Sequence, residues 1–150
     1  MAKIKFKIVV PEKVVYEKEV DQVTIPTEMG QITVLPNHIP LVSVVRAGEL
    51  MIKNDNQEEI LAVASGFLEV KQNEILILTE SAEQAEEIDE ARALEAKNRA
   101  EKLMSELKNK EAVEYTALAS KIEKELTRLR VAKKKKNYQP NITNQPNQSE

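Results

Sequence analysis

The chain has 150 residues, of which 41% are hydrophobic and 31% are charged, and its formal net charge is −3. This balance is typical of one soluble globular domain with room for an appendage. The acidic charge argues against a general nucleic-acid binder, whose phosphate contacts need a basic surface. Cysteine is absent, which excludes disulfides, thiolate metal sites and thiol catalysis. No apolar run approaches the length of a membrane span, so we expect a cytoplasmic chain or one that reaches a membrane through a partner.

Apolar residues recur with a period of mostly two between residues 3 and 79, which predicts a series of short strands. Pro11 and Pro26 are expected to end the first and third of these because proline lacks an N–H for the ladder. Polar turn residues separate the runs, and 54–57 and 71–74 are predicted to join antiparallel hairpins. The predicted strands are Ile4–Val10, 14–16, 20–25, 31–35, Leu41–Val45, 50–53, 60–64, 67–70 and 75–78. Many short strands without a helical pattern predict a β-sandwich or flattened barrel.

After residue 79 the composition shifts to Ala, Glu, Lys and Leu, which favours helix. Ser81 is a candidate N-cap that Gln84 would complete as a capping box, so the first helix is expected to run from there to about residue 108. A second helix is expected from about residue 111, and a short turn between the two predicts an antiparallel hairpin. The predicted inner faces are Ala82, Ala85, Ala93, Ala96, Ala100, Leu103 and Leu107 on the first helix, and Ala112, Tyr115, Ala119, Ile122, Leu126 and Leu129 on the second.

The predicted fold class is therefore α+β, with an N-terminal antiparallel β-sandwich (a flattened barrel) over residues 1–80 and a two-helix hairpin over 81–136. Residues 137–150, rich in Asn, Gln and Pro, are predicted to be disordered. A buried CH₂ contributes roughly 0.8 kcal/mol, so a seam built largely from alanine holds weakly. We expect a hairpin that can open and offer its apolar stripe to another helix, and an ordinary stable hairpin is the alternative.

Three stretches of sequence, in this order, resemble the epsilon subunits of bacterial F-type ATP synthases. They are GQITVLPNHIPL at 30–41, ASGFLEV at 64–70 and IDEARA at 88–93. The resemblance covers about the first 136 residues. Asn37 stands where the family usually has a second glycine, and because asparagine tolerates a left-handed backbone we expect the turn to be preserved.

The resemblance implies a non-catalytic subunit of the central stalk, in which the sandwich binds the gamma subunit and the ring of c subunits. It implies a hairpin that folds against the sandwich, or extends along gamma into the alpha/beta catalytic head and obstructs ATP hydrolysis. It places the subunit at the cytoplasmic face of the membrane through the c-ring, with no required cofactor. The predicted partner-contact residues are Gly30, His38, Pro40, Lys124, Arg128 and Arg130, the basic ones facing acidic surfaces of the catalytic subunits.

Residues 88–93 also resemble the motif with which some bacterial epsilon subunits bind ATP, which would here be a regulatory ligand. The predicted ATP-binding residues are Glu83, Ile88, Asp89, Arg92, Ala93 and Arg99. A guanidinium suits phosphate, Asp89 can accept from the adenine amino group, and Ala93 leaves room for a ring. The alternative is a surface ion pair between Asp89 and Arg92 at i,i+3. The second helix has no arginine before Arg128, which counts against tight binding.

His38 is the single histidine, and a lone imidazole without a nearby carboxylate or serine constellation builds neither a triad nor a metal site. We interpret it as a loop residue at the partner-facing end. Two other function classes stay open: a free-standing nucleotide sensor and a hydrolase built on the sandwich. Stoichiometric co-purification with gamma would exclude the sensor, and turnover by the pure chain would support the hydrolase.

Overall fold

The structure, a computed structural model, describes residues 2–106 and 112–137, with side chains except at 112, 113 and 135–137. The strands are β1 Ile4–Val10, β2 Lys13–Val20, β3 Gln22–Thr27, β4 Gly30–Val34, β5 Leu41–Val45, β6 Gly48–Asn54, β7 Gln57–Val63, β8 Gly66–Lys71, β9 Glu74–Thr79 and β10 Ala82–Gln84. A 3₁₀ turn, Ala85–Glu87, leads to the helices α1 Glu90–Glu106 and α2 Ala112–Asn137.

The strands form one sheet, folded over a single core, in the order β10-β7-β6-β3-β5-β8-β9-β1-β2, with β4 paired to β3. Period-two alternation buries one side of β1, where Ile4, Phe6 and Ile8 are fully buried. The predicted sandwich followed by a hairpin is confirmed. One pairing differs from an all-antiparallel sheet, since β1 and β9 run parallel.

Both predicted hairpin turns form as expected. Asp55 and Asn56 in the β6–β7 turn, and Gln72 and Asn73 in the β8–β9 turn, all have positive φ. Two consecutive left-handed residues match the twist of the flanking strands, and Asn and Asp adopt this conformation more readily than most residues.

Pro26 does not end β3, contrary to the prediction. It pairs with Gln31 one residue before the strand ends at Thr27. At this position the proline uses only its carbonyl oxygen, which accepts a hydrogen bond from Arg46 N at 3.0 Å. The missing N–H therefore interrupts nothing there.

The predicted helix start at Ser81 is wrong. Residues 82–84 form β10, which pairs with β7 and so satisfies the backbone groups of an edge strand, and Ala82 is buried in the core. The capping-box contact forms three residues later, where Gln84 N donates to Glu87 Oε2 at 3.4 Å. Helix α1 begins at Glu90, and Asp89 caps it by accepting a hydrogen bond from Arg92 N at 3.1 Å.

Helix α2 packs against both α1 and the sheet, so it buries two sides instead of one stripe. Ala93 and Ala100 of α1 are buried as predicted, whereas Leu103, Tyr115 and Leu126 are exposed and their prediction is wrong. The contact with the sheet uses other residues. Glu125, Thr127, Val131 and Ala132 are buried on α2. Asn137, the first residue of the predicted disordered tail, ends α2, whereas the rest of that tail lies outside the described ranges. The predicted inward positions of Leu107 and Ala112 concern side chains that the structure does not describe.

Candidate functional site

An apolar row crosses the outer face of the sheet. Ladder pairs place five apolar side chains in line, one from each neighbouring strand: Val44, Phe67, Leu78, Val9 and Val14. Phe67 is 63% exposed, and Leu78 and Val14 are each 47% exposed. A groove of about 560 Å³ runs along most of the row. A contiguous exposed apolar surface of this kind is typical of a protein–protein contact.

Gly66 sets the spacing of the two strands that carry the centre of this row. A Cβ atom at Gly66 would lie 2.0 Å from the carbonyl oxygen of Leu78. Beside it, Thr79 Oγ1 donates to the carbonyl oxygens of Ala64 and Ser65, at 3.0 and 3.1 Å. Residues 64–70, singled out in the sequence, therefore position the apolar row.

The loop between β4 and β5, residues 35–40, lies at one end of the sheet. It exposes apolar side chains that are separate from the apolar row. Ile39 is 76% exposed and Leu35 is 52% exposed, while His38 is half-buried with Nδ1 2.7 Å from Ile39 O. Asn37 has φ 63, which confirms the expected left-handed turn. This loop, called the 35–40 loop below, is a second candidate contact surface.

An ion-paired contact holds α2 against the sheet. Arg128 Nε donates to Glu83 Oε2 at 2.6 Å, and Arg128 Nη1 donates to Glu125 Oε2 at 2.8 Å. Burial alone would lower the pKa of Arg128, but the hydrogen bonds to Glu125 and Glu83 outweigh it and raise that pKa. Lys134 pairs with Glu49 of β6 in the same way.

A small apolar cluster lies beside these ion pairs. Ile88, Ala62, Val131 and Ala132 are buried together, with Ile60 and Ala85 packed at the margin. Of its buried members in the described ranges, Ile88 and Val131 alone have large aliphatic side chains, so these residues of the hairpin rest on a modest apolar contact combined with charge.

The six predicted ATP-binding residues divide by exposure. Ala93 and Ile88 are buried, and Glu83 is engaged by Arg128. Asp89 and Arg92 face solvent at the start of α1, whereas Arg99 faces solvent near the middle of that helix. Arg92 is 83% exposed and lies 3.6 Å from Asp89, so the surface ion pair considered as the alternative is present in this conformation.

The predicted partner-contact residues do not form one surface. Gly30 has φ 104 in the β3–β4 turn, whereas His38 and Pro40 lie beyond the other end of β4. Lys124 lines a cleft of about 480 Å³ between α2 and the strand turns near it. Arg128 is committed to Glu83 and Glu125, and Arg130 is exposed with Nη2 3.3 Å from Thr127 Oγ1.

Within residues 2–106 and 112–137, no group of three or more His, Asp or Glu side chains is placed to hold a metal ion. In the same ranges neither helix is long and apolar enough to cross a membrane.

Comparison with known families decides what the two parts are. Residues 3–85 match the model of the beta-sandwich domain of the ATP synthase delta/epsilon chain. Residues 86–133 match the model of the long alpha-helix domain of the same chain. The chain belongs to the family of ATP synthase epsilon chains.

Curated members of this family align along nearly their whole length. The ATP synthase epsilon chain of Dehalococcoides mccartyi strain BAV1 is 41% identical over 138 residues, which is 92% of this chain and 98% of that one. The epsilon chain of Bacillus velezensis is 38% identical over 132 residues, covering 88% of this chain and 98% of its relative.

Solved structures support the fold. A chain of the Euglena gracilis mitochondrial ATP synthase superposes with a TM-score of 0.69 at 21% identity, over 82% of this chain and 77% of that chain. A chain from the central stalk and c-ring of the Tetrahymena thermophila mitochondrial ATP synthase gives 0.59 at 15% identity, over 87% and 97%.

Sequence reasoning missed the apolar row. Four consecutive residues within β9, Ile75-Leu76-Ile77-Leu78, are apolar, and β8 places Phe67 outward beside buried Leu68. A strand that is apolar on both faces indicates that both faces are covered. None of the described residues covers the outer face of these strands. The run of apolar residues on both faces of β9 was therefore the sequence signal that could have predicted a partner there.

Proposed function

We propose that the chain is a non-catalytic subunit of the central stalk of a bacterial F-type ATP synthase. It couples rotation between the c-ring and the alpha/beta catalytic head, and it inhibits ATP hydrolysis through its helical hairpin. It lies at the cytoplasmic face of the membrane as a peripheral subunit, held there through the c-ring. No cofactor is required, and ATP acts as a regulatory ligand.

The apolar row is the observation that carries this proposal. Five side chains in line across five strands give a flat, water-exposed apolar surface that is costly to leave uncovered. A permanent subunit contact suits it, because burial of Phe67 and Leu78 against a partner removes that cost. We assign this surface to gamma. A free-standing nucleotide sensor has no use for such a row.

Replacement of one central side chain tests the assignment. We expect Phe67→Ser to weaken co-purification with gamma at least tenfold, since a large exposed aromatic side chain can contribute 2 kcal/mol or more to a contact. Leu94→Ser, which alters a 47% exposed side chain on the hairpin, is the matched control and should bind gamma as the wild type does. Equal binding by the Phe67→Ser chain would overturn the assignment.

We assign the 35–40 loop to the c-ring. It presents Ile39 and Leu35 to solvent at the end of the sheet, beyond the strands that carry the apolar row. Two exposed apolar surfaces on one small chain suit a subunit that joins two partners. His38 serves there as a contact residue.

Inhibition requires a hairpin that can leave the sheet, and the residues of the contact support this. Among the side chains of α2 that the structure describes, four are buried and two of these, Glu125 and Thr127, are polar; the α1 side of the seam is alanine at 93 and 100. Ion pairs exchange for water or for another partner at little net cost, whereas a large apolar core does not. A hairpin held in this way can be docked or extended.

ATP regulation rests on solvent-facing groups of α1 and of its N-terminal cap. Arg92 and Arg99 are exposed, and Asp89 lies beside Arg92. ATP that binds only the docked hairpin stabilises it by RT ln(1 + [ATP]/Kd), about 2.7 kcal/mol at a hundredfold excess over Kd. Such a contribution is large against a contact as small as that between α2 and the sheet.

Isothermal titration of the full chain with ATP tests this regulation. Arg92→Gln should abolish the binding heat, while Lys102→Gln, which removes an exposed charge elsewhere on α1, should leave it unchanged. No heat from the wild-type chain at millimolar ATP would refute the regulatory site and leave the subunit assignment intact.

A further inference from the structure

The side chain of Asn73 joins three separate parts of the sheet end at which the 35–40 loop lies. Asn73 is in the β8–β9 turn with φ 60, and its Oδ1 accepts a hydrogen bond from Asn37 N at 2.9 Å. Its Nδ2 donates to Lys3 O at 2.8 Å, and its own carbonyl oxygen accepts from Lys5 N at 3.1 Å. One amide side chain therefore ties the β4–β5 connection to the first residues of β1.

The bond to Asn37 acts at the point where the loop reverses direction. Asn37 is left-handed, His38 N closes the turn by donating to Leu35 O at 3.2 Å, and Ile39 follows with its side chain in solvent. Asn37 is itself exposed, so water can replace Asn73 as the acceptor at little cost in stability. Water cannot, however, hold the 35–40 loop in a fixed position relative to β1 and β9.

We propose that Asn73 is a positioning residue that orders the 35–40 loop so that His38 and Ile39 meet the c-ring in one conformation. This rests on the assignment of the loop to the ring made above. A loop ordered before contact loses less conformational entropy on binding, so the hydrogen bond acts on affinity more than on folding.

The β6–β7 turn offers a matched control. Asn56 occupies the same left-handed position as Asn73, with φ 65, and lies exposed. In the described part of the chain its side chain makes no hydrogen bond to the 35–40 loop. Replacement by glycine keeps both turns, because glycine adopts positive φ freely, and removes the side chain in each case.

The full chain is compared in four forms: wild type, Asn73→Gly, Asn73→Asp and Asn56→Gly. We expect Asn73→Gly to speed hydrogen exchange of the Asn37 amide, to shift the ring resonances of His38, and to weaken binding to a detergent-solubilised gamma–c-ring complex roughly threefold to tenfold. His38 is the single histidine of the chain, so its signals are uncrowded. Asn56→Gly should match the wild type in all three measurements.

Asn73→Asp separates the bond to the loop from the bond to β1. Its carboxylate still accepts from Asn37 N but cannot donate to Lys3 O, so it should retain amide protection at Asn37 and wild-type affinity. Equal binding by wild type and Asn73→Gly, or equal weakening by both glycine variants, overturns the positioning role. If the wild-type chain binds the gamma–c-ring complex no more tightly than it binds gamma alone, the proposed contact with the ring is overturned instead.

Discussion

At the scale of single residues, Gly66 is the position where the fold leaves no space. Because Gly66 has no side chain, the carbonyl oxygen of Leu78 can occupy the space that a Cβ atom would need. We expect Gly66→Ala to lower the free energy of unfolding by about 1–3 kcal/mol, because the strands must separate to admit the methyl group. Chemical denaturation measures this. Ser65→Ala, an exposed neighbour, should stay within about 0.5 kcal/mol of the wild type.

Tyr16 gives a second prediction, in alkaline solution. Burial, followed by the negative charge of Glu59, raises the pKa of Tyr16 to about 12, above the ordinary value of 10.0. The unfolded chain therefore loses this proton first, so stability is full below about pH 10 and falls as pH rises toward 12, by about 3 kcal/mol in total. Ultraviolet titration of the folded chain should show a tyrosine that ionises near pH 12, and this signal should be absent from Tyr16→Phe.

Removal of the Tyr16 hydroxyl checks the cause. Among the described residues, Tyr16 Oη is the one buried side-chain oxygen or nitrogen without a hydrogen-bond partner. Tyr16→Phe should therefore leave stability at pH 7 unchanged or raise it by up to about 1 kcal/mol, and should flatten the fall between pH 10 and 12. A large loss of stability at pH 7 would contradict this account.

Local chemistry made some residues predictable and tertiary pairing made others unpredictable. Asn37 was predicted correctly because tolerance of positive φ belongs to the residue itself. Pro26 was not, because its carbonyl is used by Arg46, which lies 20 positions further along the chain. The ATP and partner-contact residues stay predictions, since they concern molecules outside this chain.

At the scale of elements, the α2–sheet contact depends on Arg128. The side chain is 17% exposed and Glu125 is 7% exposed, so removal of the guanidinium leaves a nearly buried carboxylate without its cation. We expect Arg128→Met to lower the free energy of opening α2 by about 1–3 kcal/mol, measured by hydrogen exchange of α2 amides.

Two variants test whether charge is the cause. Arg128→Met combined with Glu125→Gln should recover part of the loss, because no unpaired charge then remains near the sheet. Arg92 has an 83% exposed side chain that pairs with Asp89. Arg92→Met should therefore change the free energy of opening α2 by less than about 0.5 kcal/mol. An Arg92 effect as large as that of Arg128 would contradict the distinction between buried and exposed pairs.

The elements that the sequence predicted well are those whose pattern is local. Strands β1 and β5 have the predicted bounds, and α2 begins one residue from the expected position. The prediction of helix for residues 81–89 was wrong. Their composition favours helix, but residues 82–84 instead pair with the edge of β7, which would otherwise be unpaired. The predicted inner face of α2 was wrong in part for a related reason. The prediction assumed that α2 packs against α1 alone, whereas α2 packs against both α1 and the sheet.

At the scale of the whole molecule, the sheet and the hairpin meet through few groups, while each surface assigned to a partner lies on the sheet alone. The apolar row and the 35–40 loop involve no residue of α1 or α2. Assembly and inhibition should therefore separate when the chain is shortened. The point of truncation matters, because β10 is part of the sheet and Ala82 part of its core.

A chain ending at Asp89 retains all ten strands of the sheet and the 3₁₀ turn. We expect it to unfold cooperatively and to assemble with gamma and the c-ring as the full chain does, while ATP hydrolysis by the reconstituted enzyme loses its inhibition. A chain ending at Glu80 lacks β10, leaves the edge of β7 unpaired and should be less stable than the longer truncation. Denaturation, co-purification and ATPase rate measure the three effects. Undiminished inhibition by the chain that ends at Asp89 would exclude the hairpin as the inhibitor, and failure of that chain to assemble would place part of the stalk contact on the helices.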